Sequence, residues 1–148
     1  MARKSVSVAL RGLVVWLVFI FAESINGTIR EIFVKPILGD LRARQLSFLS
    51  AIVIIFAVAS IFFRWIGETK RKHLLLVGLL WVSLTFGFEV FVGRMLLGIS
   101  WEIILSDYNI FNGGLMTFGL IILAVTPILV SEFYRIYIPQ RSSGISVD

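Results

Sequence analysis

Apolar residues run along this chain in four long blocks, and the polar residues collect between them. A helix needs roughly 20 residues to cross a hydrocarbon core. The blocks meet that length at about Val6 to Gly27, Leu46 to Ile66, Leu74 to Leu97 and Leu115 to Ile138. The gaps carry turn and charge punctuation: "KPILGDLRARQ" with Pro36 and Gly39, "GETKRKH", and "GISWEIILSDYNIFNGG" with Gly113 and Gly114. The pattern predicts an all-α integral membrane protein, a single four-helix transmembrane bundle over residues 1–148 with no room for a soluble domain. "MARK" before an apolar run also has the outline of a signal peptide, but Ile20, Phe21 and Ala22 lack the small-x-small cleavage pattern, so the first block is expected to stay as a span.

Five polar residues interrupt the blocks. Glu23, Asn26 and Arg30 follow the first apolar run without a turn signal, and Glu89 and Arg94 sit in the third. At about 1.5 Å per residue both glutamates lie some 22–25 Å from the starts of their spans, in one layer. Arg30 is two turns beyond Glu23 on the same face, whereas Arg94, five residues past Glu89, points elsewhere. A charge at this depth costs free energy unless it has a partner or a hydrated cavity. Two readings follow. The layer is either structural, a set of interhelical ion pairs that fixes register or charges snorkelling toward the interface, or a polar cavity lined by Glu23, Asn26, Arg30, Glu89 and Arg94 that binds an ion, proton or polar headgroup.

The opening pattern recurs. A shift of 66 residues superposes Gly12 on Gly78, Leu13 on Leu79, Glu23 on Glu89 and Gly27 on Gly93, and "SIFFR" and "SEFYR" end the following spans. A duplicated helical hairpin and coincidence among apolar helices both fit; a duplication would give parallel repeats about an axis along the membrane normal. In the second outer loop, "SWEIILSDYN" opens with a capping Ser100 and spaces Trp101, Ile104, Leu105 and Tyr108 as one face of a short amphipathic helix lying in the interface, with Glu102 and Ser106 elsewhere. Asp107 and Asn109 can cap that helix, bind a cation or meet Arg42 and Arg44 of the first outer loop. Gly12, Gly78, Gly87, Gly93 and Gly119 offer surfaces for close helix approach. Trp65, Trp101, Tyr108, Tyr134 and Tyr137 fit an aromatic belt, and Pro127 interrupts the ladder of the last span.

Composition narrows the function classes. Charged residues make up 16% against about 25% in soluble domains. With no cysteine and a single His73, thiol chemistry, histidine metal clusters and Ser/His/Asp triads have no raw material, so neither an enzyme nor a cofactor or metal is expected. The net charge of +5 comes from residues flanking apolar blocks rather than a solvated basic face, which excludes nucleic acid as a partner. Those residues set topology: with cytoplasmic termini, nine of the 14 Lys and Arg lie inside and five outside.

The runs "ESINGTIREIFVKPILGDLRARQLS", "LLWVSLTFGFEVFVGR" and "GISWEIILSDYNIFNGGL" resemble a group of small four-span bacterial inner-membrane proteins, from about Trp16 to Leu120. That resemblance implies a bacterial inner-membrane location and no particular activity. "AESINGT" is also similar to the first span of small multidrug resistance exporters, whose glutamate exchanges protons for cations. Here the second glutamate, Arg30 and Arg94, and the long charged loops depart from that pattern, so only the idea of a titrating Glu23 carries over. The sequence thus points to a non-catalytic accessory, assembly or lipid-interacting component whose partners are the bilayer, another membrane protein or a second copy. A small transporter or channel built on Glu23 and Glu89 is the alternative.

Overall fold

Long apolar runs form helices because in lipid every backbone group must be bonded within its own segment. In the computed structural model, which describes residues 2–67, 70–112 and 114–137, they give α1 (Ala2–Ile29), α2 (Lys35–Leu38), α3 (Asp40–Ile66), α4 (Arg71–Phe91), α5 (Trp101–Tyr108) and α6 (Met116–Tyr137). Among these residues there is no strand, and four helices are long and apolar enough to cross a membrane. The chain is a four-helix bundle, as its hydropathy pattern predicts. Gly113, Ile138 and the Glu68–Thr69 part of "GETKRKH" lie outside the described residues.

The first span is longer than its apolar block. Arg30–Val34 continues α1 as a turn of π-helix and runs directly into α2, so the helical segment reaches Leu38. The wide turn lies immediately before Pro36, whose ring excludes an ordinary bond to the Ile32 carbonyl. The charges here stay in register because they pair along the helix: Lys35 Nζ lies 2.9 Å from Glu31 Oε2, and Arg44 Nε lies 2.9 Å from Asp40 Oδ2. What the sequence marks as a loop shrinks to one residue. Gly39, at φ 78°, makes the reversal, a conformation that side-chain-bearing residues rarely adopt. A second π turn, Val92–Leu96, prolongs α4.

The four spanning helices form a ring in which α1 and α6 each pack against both α3 and α4, and the diagonal pairs barely touch. Parallel helices α1 and α4 are therefore neighbours. A two-fold axis along the membrane normal would place them on opposite corners, so the expected axis is wrong for this packing. Nor do the matched glycines act alike: Gly12 faces Val77 and Trp81 of α4, while Gly78 meets the backbone of Ala124 in α6.

Toward the end that carries the N-terminus the core is apolar and aromatic. Trp81 is fully buried, stacks edge-on with Phe19 at 4.7 Å and donates Nε1 to the Gly12 carbonyl at 2.8 Å. Trp16 donates to Thr85 Oγ1 at 3.1 Å. Val15, Val77, Leu123, Thr126 and Val130 fill the space between. Arg11, the one charge between Val6 and Phe21, donates to the Trp65 carbonyl at the C-terminal end of α3, where a cation complements the helix dipole. Tyr134 acts as a strut: its hydroxyl donates to the Ser60 carbonyl at 2.9 Å.

Candidate functional site

At the opposite end, near α5, the helices line a half-open cavity of about 410 Å³. Its floor is apolar, with Phe19, Ile52, Ile55, Phe88 and Leu123, and its upper wall is polar, with Glu23, Asn26, Arg30, Ser47 and Glu89. Four of the five residues expected in a common layer thus meet around one space. Arg94 does not. It is exposed, donates to the Ile99 carbonyl at 2.9 Å and lies over the Trp101 ring at 5.3 Å, holding the start of α5.

The expected ion pairs are absent. Among the described residues neither Glu23 nor Glu89 pairs with Arg30, Arg94 or any other cation; Arg30 Nη2 turns instead to Glu31 Oε1 at 3.2 Å. Glu23 is held by one neutral bond, from Asn26 Nδ2 at 3.1 Å to Oε2, and its buried Oε1 has no partner. The buried Nε of Arg30 is likewise unpartnered.

Asn26 orders this corner. Its Nδ2 also donates to the Ser47 carbonyl at 3.1 Å, and its Oδ1 accepts from Ser50 Oγ at 2.8 Å, so one amide ties α1 to α3 and aims the Glu23 carboxylate. Sequence reasoning missed Ser47 and Ser50; their spacing of three puts both on the α3 face that Asn26 meets, and that polar pair is the signal that could have found them. Asn26→Ala should cost about 1–3 kcal/mol, because it leaves the Glu23 carboxylate without its one donor and removes both of the Asn26 bonds from α1 to α3. Denaturation of the detergent-solubilised variant checks this.

Helix α5 lies over the cavity, with Asp107 in its lining and Tyr108 bonded to Glu89. Ser100 caps it as expected, accepting from the Ile103 amide. The expected apolar face splits: Ile104 is buried against Gly93, and Tyr108 is half-buried, while Trp101, Ile103 and Leu105 are exposed. Tyr108 is drawn inward because its hydroxyl donates to Glu89 Oε2 at 3.0 Å, and its carbonyl accepts from Thr117. Burial, followed by the neighbouring Glu89 carboxylate, pushes the Tyr108 phenol well above its ordinary range, so it stays a donor. Asp107 lines the cavity and bridges to Arg44 Nη1 at 2.9 Å, which closes α5 onto α3. Asn109 Oδ1 accepts from the Phe111 amide and caps the short turn after α5. Arg42 is exposed on α3, and Glu102 is exposed in the first turn of α5, where an acid suits the helix dipole.

No protein-family model, curated protein or solved structure matches the chain. The reading of the site therefore rests on its own chemistry. It offers two carboxylates free of counter-charge, one guanidinium with a free donor and an apolar floor, all within a space the size of a small ligand site.

Proposed function

We propose that this protein is a non-catalytic, lipid- or solute-binding component of a bacterial inner membrane that takes a cationic group into the cavity beneath α5. The observation that carries the reading is that Glu23 and Glu89, from neighbouring helices, line one cavity and neither has an ion-pair partner among the described residues. An unpaired carboxylate shielded from water is costly unless something compensates it, and a bound ammonium or metal cation does so. The packed layer around Trp16, Phe19 and Trp81 closes the far side, which favours a one-sided binding site over an open channel. Transport would require that layer to part.

The binding test uses dodecylammonium, with dodecanol as the neutral control, on protein in lipid nanodiscs. Dodecylammonium should raise the melting temperature of the wild type, since a ligand at 100 times its Kd stabilises by about 2.7 kcal/mol. It should do so much less for Glu23→Gln and Glu89→Gln. Equal shifts in all three proteins, or equal shifts with dodecanol, would count against a carboxylate site.

In this proposal the cavity end faces outward and both termini face the cytoplasm, the placement that puts nine of 14 basic residues inside. Cysteines introduced at Ser5, Thr69 and Ser143 should resist an impermeant thiol reagent applied to intact cells, and one at Glu102 should react. Labelling of the first three would invert the topology.

A further inference from the structure

The cavity is also lined by a cation with a buried donor left over. Arg30 shares the lining with Glu23 and Glu89, lies two turns beyond Glu23 on the same helix and has a buried Nε without a partner. Its one ion pair, to Glu31, uses Nη2 and leaves the inward edge of the guanidinium free. Arg44 and Asp107, which also line it, are paired with each other, so the charges left over make the cavity dipolar: Glu23 and Glu89 toward the floor, the Arg30 guanidinium toward the mouth and apolar side chains below. Guanidinium forks match the oxygens of phosphate and carboxylate, whereas carboxylates match ammonium.

Depth points the same way. Glu23 lies 17 residues beyond Val6, about 25 Å along the helix, and Arg30 lies about 10 Å further, against a hydrocarbon thickness of about 30 Å. The acids are thus just below the far interface and the arginine just above it, the zone occupied by headgroups.

We propose that the ligand of this cavity is zwitterionic, an ammonium held by Glu23 and Glu89 and joined to a phosphate held by Arg30. This deepens the cation-binding reading and rests on it. A phosphoethanolamine-type lipid headgroup and free phosphoethanolamine share that chemistry; in the lipid the phosphate carries the chain, so the chain leaves by the mouth past Arg30.

Three probes with one chain and different heads separate the contributions: dodecylphosphoethanolamine, dodecylammonium and dodecyl phosphate, titrated calorimetrically into wild-type protein in nanodiscs. The zwitterion should bind about tenfold tighter than either single-charge probe. Arg30→Gln should lose the preference for the zwitterion over dodecylammonium while still binding dodecylammonium, Arg30→Lys should keep part of it, and Glu89→Gln should lose both amines. If wild type binds dodecylammonium and dodecylphosphoethanolamine equally, or Arg30→Gln keeps the preference, the zwitterion proposal fails and cation binding stands. If dodecylammonium does not bind, both fail. O-phosphoethanolamine binding as tightly as its dodecyl ester would support the same chemistry from a soluble source; tighter binding of the ester would support a lipid.

Discussion

Gly78→Ala should unfold or severely loosen the bundle, although it adds a single methyl group. A Cβ at this position would run into the Ala124 carbonyl and its backbone, not into a side chain that could swing aside. Relief therefore requires α4 and α6 to separate along their whole contact, which would open the seam beside Trp81 and Leu123. Overpacking a core usually costs about 1–3 kcal/mol, and a clash with rigid backbone belongs at or above the top of that range. Gly27→Ala is the matched control: a methyl group there meets nothing within 4 Å, and alanine is the better helix former. Melting curves in one detergent should show Gly78→Ala lowered by about 6 °C or more, given about 2–4 °C per kcal/mol for a chain of this size, with Gly27→Ala unchanged or higher. Comparable melts for the two variants would mean that α4 and α6 are further apart than the structure places them.

Gly78 also illustrates what the sequence does and does not carry. Five glycines invite close approach, yet only the neighbouring helix decides which of them is pressed against backbone, and ring order is not written in hydropathy. Span number is written there, because about 20 apolar residues have no other stable home in a bilayer. Span ends are not. Lys35 and Arg44 look like loop residues, but each finds an acid one turn earlier in a helix that simply continues. The common depth of Glu23 and Glu89 is legible because helical rise converts residue number into distance, and Arg30 follows by two-turn spacing. Arg94 misleads for the same reason: five residues is about 140° around the helix from Glu89, so matching charges by depth alone sends it to a cavity it does not reach. The inward turn of Tyr108 also depends on a tertiary partner, since at the sequence level an aromatic on an amphipathic segment reads as a lipid anchor.

Glu23→Gln and Glu89→Gln should each melt at the same temperature as wild type or higher in the absence of ligand. Had the carboxylates been paired with Arg30 or Arg94, removing one charge would strand the other and cost several kcal/mol, and a second, compensating mutation would rescue the loss. Among the described residues no such pair exists, so the substitution removes a charge that they do not compensate. Glutamine keeps the acceptors that matter: a carbonyl oxygen for Asn26 Nδ2 at position 23, and one for the Tyr108 hydroxyl at position 89. A charge costs roughly 2.5–3.5 kcal/mol at mid-bilayer on insertion scales and less toward the interface. A gain of about 1 kcal/mol per site, or about 2–4 °C, is therefore the expected size. Adding Arg94→Gln to either variant should change nothing further at the site, because Arg94 is engaged with Ile99 and Trp101. A clear loss of stability in the single variants, recovered in a double variant with Arg30→Gln or Arg94→Gln, would restore the ion-pair reading and remove the reason for expecting a cation in the cavity. Stabilised single variants that no longer respond to dodecylammonium would tie the cost of the two acids to the ligand they hold, because residues that weaken a fold while completing a binding site contribute through what they bind.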